Sequence, residues 1–158
     1  KVFACVPSNS SFIFFVGVSS LRIARDPNII VGGLDISKAF LHAFIQEEGR
    51  RVFVRAPTEA QLPAGCCWQV HKALYGLRHS PADWSKHFKL IMLSLRFKYS
   101  RIDPTSYFNP ATGVQVIAHF DDLLVTGTDN AVVDFVRQIK EQLFCSEPRY
   151  LRRPGDKL

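Results

Sequence analysis

Apolar residues follow two rhythms in this chain, and each predicts a different element. Residues 29–36 (IIVGGLDI) and 114–127 (VQVIAHFDDLLVTG) are nearly continuous apolar runs bounded by turn residues, which predicts buried strands. Residues 52–54 predict a short strand stopped by Pro57, residues 67–70 its partner, and residues 107–109 another strand before a turn at 110–113. Helical spacing appears elsewhere. Ser80, Pro81 and Asp83 read as an N-cap, a first-turn proline and an acid three residues after the cap. Trp84, Phe88, Ile91 and Leu95 then share one face. Asp129 reads as the cap of a second helix whose Val132, Phe135, Val136, Ile139 and Leu143 face inward. A helix is predicted over 11–24, and a short helix or turn over 37–45 that packs Phe40, Leu41 and Phe44. Residues 58–65 read as loop. The order of strand, hairpin, helix, hairpin and helix predicts an α+β fold with helices on one face of an antiparallel sheet, a split βαβ arrangement of the ferredoxin-like kind.

Composition adjusts this picture only modestly. The 158 residues suffice for one domain, and 47% hydrophobic residues suffice for a core. A net charge of +6 favours a polyanionic partner without naming it. Cysteines at 5, 66, 67 and 145 suit neither a disulfide scaffold nor a zinc site, since Cys66, Cys67 and His71 do not reach four ligands. Reduced thiols in an intracellular protein are the expectation. The apolar run 12–18 is too short to cross a bilayer, and only one basic residue precedes it, so neither a membrane span nor a signal peptide is expected. The sole methionine is Met92, so the chain reads as a piece of something longer. Three segments are expected: 1–28, 29–146 as the core, and 147–158 as a basic, loosely held tail.

The candidate chemistry sits inside the strands. Asp121 and Asp122 interrupt an apolar run, and ionised side chains there are costly unless something neutralises them. Hard oxygen ligands suit Mg²⁺ or Mn²⁺. A solvated hairpin tip is the other reading. Asp35 ends the other apolar run, and adjacent strands would bring it beside the Asp pair. Three such carboxylates could hold two ions of the kind that clamp an in-line phosphoryl displacement. Lys86, Lys89 and Arg96 cluster beside the apolar helix face, as a solvated surface or as contacts to a phosphate backbone.

Three ordered blocks resemble the reverse transcriptase domain of copia-type LTR retrotransposons. Residues 34–42 (LDISKAFLH) resemble that family's first catalytic motif. Residues 68–84 (WQVHKALYGLRHSPADW) resemble its nucleotide-pocket segment and following helix. Residues 103–108 and 120–127 (DPTSYF and FDDLLVTG) resemble its metal-binding hairpin. The resemblance runs from about Gly33 to Phe144. It implies a polymerase palm with part of the fingers, the fingers portion or its degenerate remnant falling in 1–28. It also implies Mg²⁺ or Mn²⁺, two ions, on Asp35, Asp121 and Asp122. Ile36, Phe40, Tyr75, Gly76 and Arg78 would meet the nucleotide, Phe40 as a steric gate and Gly76 by admitting close backbone approach. Lys86, Lys89 and Arg96 would meet nucleic acid. The implied partners are an RNA or DNA template-primer, dNTPs and the rest of a polyprotein with RNase H and integrase, in a cytoplasmic particle or the nucleus.

The chain also departs from the family. His119 stands where a tyrosine is usual, Ala43 where glycine is favoured, and no phosphate-gripping fingers segment is recognisable upstream of residue 30. These departures motivate an alternative: a decayed or domesticated, inactive fragment that at most binds nucleic acid.

Overall fold

The computed structural model describes residues 6–45, 50–63 and 65–152. In chain order the elements are α1 (Asn9–Arg25), β1 (Ile29–Asp35), a 3₁₀ turn (Ala39–His42), β2 (Val52–Arg55), a second 3₁₀ turn (Thr58–Ala60) and β3 (Cys67–Val70). There follow α2 (Ser80–Ser94), β4 (Lys98–Tyr99), β5 (Ser106–Phe108), β6 (Gln115–His119), β7 (Asp122–Thr128), α3 (Asp129–Lys140) and β8 (Arg149–Leu151). Six strands form one antiparallel sheet in the order β4-β5-β6-β7-β1-β8, and β2 and β3 form a separate ribbon. The α+β class expected from the strand and helix order is therefore present.

Alternation along the strands sorts the sheet into two faces. Ile30, Leu34, Val116, Ala118, Leu123 and Val125 join one core with Trp84, Phe88, Ile91 and Met92 of α2 and Val132, Phe135, Val136 and Ile139 of α3. The inward residues predicted for α3 are all buried, Leu143 beyond its end included. Gly32 allows close packing here, because a Cβ would stand 3.0 Å from Val125 and 3.1 Å from Tyr150.

The other face corrects the expectation that all helices share one side. The helix α1 contacts β1, and its Phe12 borders a cavity with Gly33, Asp35, Ile117, His119, Asp122 and Leu124, which alternate away from the α2–α3 core. Its periodicity is weak, with Phe15 buried but Ile13, Phe14 and Leu21 in solvent, so the pattern alone could not show which face it takes. The carboxylate of Asp103 anchors its start, accepting from Ser8 N at 3.3 Å and from the backbone and hydroxyl of Thr105. Burial pushes the Asp103 carboxyl up, but hydrogen bonds from Ser11, Thr105 and Ser8 outweigh it and hold the group below the ordinary value. A depressed folded value stabilises above the unfolded value of about 4 and loses that stabilisation as pH falls through the folded one. Asp103→Asn is therefore expected to cost about 1–2 kcal/mol at pH 7, with the difference shrinking as pH falls below the unfolded value, as read by urea melts across that range.

Four further corrections concern ends and caps. Residues 147–158 were expected to be loose, yet Arg149–Leu151 pairs with Val31–Gly33 of β1, because β1 would otherwise leave its outer edge unpaired; residues 153–158 lie outside the described residues. Ser80 is not the N-cap of α2: His79 is, and the Ser80 hydroxyl instead donates to Leu74 O at 2.6 Å and accepts from Leu74 N at 3.0 Å. Asp129 is the first residue of α3 after Thr128, its carboxylate paired with Arg152 rather than capping. Phe44 was expected to pack, but it is exposed, under the Lys72 ammonium. No helix among the described residues is long and apolar enough to cross a membrane.

Candidate active site

Register brings two of the acids together. Antiparallel pairing of β1 with β7 sets Asp35 opposite Asp122, and pairing of β6 with β7 sets His119 opposite the same Asp122. Directly opposed residues have Cβ atoms roughly 5 Å apart on one face. A slip of one residue would send these side chains into the core, so the apolar alternation of β1, β6 and β7 that fixes the register also fixes the acidic row.

The third acid lies in the turn. The two residues between His119 and Asp122 are Phe120 and Asp121, and Phe120 takes a positive φ of 55°. Tight two-residue hairpin loops demand this backbone, which is costly for a bulky residue. Two hydrogen bonds hold the turn: Ile36 N donates to Asp121 O at 2.8 Å, and Trp84 Nε1 donates to Phe120 O at 2.8 Å. The helix α2 is thereby tied to the acidic hairpin.

Asp35 and Asp122 border a cavity of about 800 Å³ with His119, Phe12 and Arg149. Asp121 borders a different, smaller one of about 240 Å³ with Ala39, Phe40, Tyr75 and Phe120. Burial, then the charges of Asp121 and Asp35, push the Asp122 carboxyl above its ordinary value, with His119 opposing. Among the described residues, no three His, Cys, Asp or Glu side chains are grouped closely enough to hold an ion as they stand. The donor chemistry nevertheless fits a hard divalent cation: carboxylate oxygens only, close enough to repel, on a register that cannot move them apart.

The nucleotide-pocket residues divide. Phe40 and Tyr75 meet at 4.7 Å between ring centroids on the Asp121 cavity. Ile36 is fully buried, with its N–H bonded to Asp121 O. Gly76 adopts φ +88°, which glycine alone tolerates well, and no protein atom lies within 4 Å of where a Cβ would stand. Arg78 is exposed.

The basic trio divides too. Lys86 and Lys89 border a third cavity with Trp84 and Phe120, and the Lys89 ammonium sits 3.6 Å from the Tyr99 ring centre. Arg96 lies past the end of α2 at φ 64° and does not border that cavity.

Two structural supports have partners that the sequence pattern did not show. Ser146 grips Asp35, its hydroxyl accepting from Asp35 N at 3.1 Å and its N–H donating to Asp35 O at 2.8 Å. Buried Asp83, which the sequence offered as a first-turn acid, forms an ion pair with Arg50.

A family model described as reverse transcriptase (RNA-dependent DNA polymerase) matches residues 9–147. The chain is 26% identical over 118 residues to the retrovirus-related Pol polyprotein from transposon TNT 1-94 of Nicotiana tabacum, covering 72% of this chain and 9% of that protein. It is 28% identical over 130 residues to the corresponding polyprotein from transposon RE2 of Arabidopsis thaliana, covering 78% and 9%. With that from transposon RE1 of the same plant the figures are 30% over 115 residues, 69% and 8%. The chain thus spans less than a tenth of each of these relatives.

Proposed function

The chain belongs to the reverse transcriptase (RNA-dependent DNA polymerase) family, and from that premise we propose that it is the palm, with part of the fingers, of a retrotransposon Pol polyprotein that extends a primer 3′-hydroxyl with dNTPs on an RNA template. One observation carries this reading: Asp35 opposes Asp122 across paired strands while the backbone of Ile36 holds Asp121 in the connecting turn. Asp35, Asp121 and Asp122 would hold Mg²⁺ or Mn²⁺. Such ions, when bound, lower the pKa of a hydroxyl and offset phosphate charge.

The chain's own residues supply positioning. The backbone of β1 and β7 presents Asp35 and Asp122 from paired strands, and the turn between β6 and β7 presents Asp121 beside them. Phe40 and Tyr75 wall the recess beside Asp121, where a sugar would lie against the Phe40 ring. Lys86 and Lys89 would meet phosphates, a contact independent of sequence.

Primer extension on a primed RNA template with Mg²⁺ and dNTPs tests the reading, and folded protein that yields no product with either Mg²⁺ or Mn²⁺ refutes it. A binding-only fragment is the second reading. It is favoured by one observation: Asp121 borders a different cavity from Asp35 and Asp122.

Phe40→Ala is expected to open the recess and raise ribonucleotide incorporation relative to deoxyribonucleotide by about 10-fold or more, one CH₂-sized clash being worth about 1 kcal/mol and the ring several. Single-nucleotide incorporation with matched rNTP and dNTP measures it; unchanged discrimination leaves Phe40 as a core residue only.

A further inference from the structure

The β2–β3 ribbon stands outside the six-stranded sheet, and nothing in the polymerase reading uses it. Its pairing sets Phe53 opposite Gln69 and Arg55 opposite Cys67, so these four share a face. Arg51, one residue before the strand, continues that parity. Phe53 is 54% exposed, and Arg51 and Arg55 are exposed on either side of it. A phenyl ring left in water forgoes its burial gain, and here arginines two residues before and after it along the chain share its face. A cavity of about 510 Å³ opens beside it, lined by Phe53, Arg55, Pro57, Leu62, Pro63 and Cys67.

The charges favour a polyanion. Among the described residues of 50–72 the cations are Arg50, Arg51, Arg55 and Lys72, and the sole acid is Glu59; Glu47 and Glu48 precede them in sequence, outside the described residues. Arg50 pairs with Asp83 and Lys72 lies over Phe44, which leaves Arg51 and Arg55 flanking the ring. A protein partner would favour a contiguous apolar face, which these two arginines interrupt. A stacking ring, flanking guanidinium groups and an adjoining recess of nucleotide size match an unpaired strand, whose bases stack while its phosphates meet arginine.

We propose that the β2–β3 ribbon is a binding surface for single-stranded nucleic acid, with a base stacked on Phe53 and the backbone held by Arg51 and Arg55. This goes beyond the polymerase reading, because it concerns binding at an element separate from the acidic row. The test is fluorescence anisotropy in EDTA, without dNTPs, on the Asp35→Asn chain. The probes are a fluorescein-labelled mixed-sequence single strand of about 15 nucleotides, within the span of one stacking groove, and a blunt duplex of the same length. Phe53→Ala and Arg55→Gln are each expected to weaken single-strand binding about 10-fold and duplex binding less than twofold. Phe53→Trp is expected to restore it, and Arg55→Gln to flatten the salt dependence. Both substituted positions are solvent-facing, so melting temperatures should hold. Unchanged single-strand affinity in folded variants, equal loss on duplex, or no single-strand binding by the parent chain overturns the inference. Primer extension, run separately on the unsubstituted chain, reports the polymerase reading independently.

Discussion

Asp35→Asn is expected to lower nucleotide incorporation by at least about 10³-fold while the protein melts at the same temperature or slightly higher. A bound divalent ion is worth several kcal/mol of transition-state charge stabilisation, and about 4 kcal/mol is a factor of 10³. Asn keeps the shape of the side chain and one oxygen but gives up the charge that would hold the ion. Stability moves the other way. Asp35 faces Asp122 across the β1–β7 pair, and its charge is one of the causes that raise the Asp122 carboxyl. Removing it relieves repulsion that nothing else in the row offsets except His119. The hydrogen bonds that Asp35 makes to Ser146 at its N–H and C=O belong to the backbone and survive the substitution. Single-turnover primer extension beside a thermal melt reads both halves. Retained activity would remove Asp35 from the metal-binding set; lost activity together with a melt lowered by many degrees would make Asp35 a structural residue.

The acidic row was legible in the sequence because two apolar runs each carried an acid where burial penalises one, and because helical spacing elsewhere left only a sheet to hold them. Alternation then did the rest: once Leu34 and Leu123 face the core, Asp35 and Asp122 must face away together. Recognition of a copia-type reverse transcriptase domain stands on the same blocks. What the pattern could not carry was anything set by tertiary partners. The helix α1 is apolar on several sides, so its period does not choose a face. Strand β8 is three residues long behind Pro148 and exists because β1 has an edge to fill. Ser80 satisfies every rule for a cap, yet its hydroxyl finds a better-placed partner in Leu74. The direction of Asp121 depends on the positive φ of Phe120, and a tight turn around Phe-Asp carries none of the Asn-Gly chemistry that announces such a backbone.

Trp84 is where the helix and the acidic hairpin depend on one side chain, and Trp84→Ala is expected to have the largest effect on stability of any single change. The indole is 2% exposed and packs 5.5 Å from the Phe88 ring. Truncating a buried tryptophan costs about 3–5 kcal/mol through lost burial and the cavity left behind. In a domain of this size each kcal/mol lowers the melting temperature by about 2–4 °C, so a fall of about 10 °C is expected. Trp84→Phe separates packing from tethering. It fills most of the volume but loses the Nε1 donor that holds Phe120 O. The stability cost should then be about 1–2 kcal/mol, the scale of one hydrogen bond plus a modest volume change. Incorporation should fall further than that cost explains, because Phe120 holds a strained backbone next to Asp121 and its carbonyl would lose the donor that restrains it. Calorimetry of both variants, with primer extension at least 20 °C below the lower melting temperature, tests the two effects separately. If Trp84→Phe incorporates nucleotides as well as the parent chain, the indole is a packing residue, and the turn keeps its geometry from the Ile36–Asp121 bond alone.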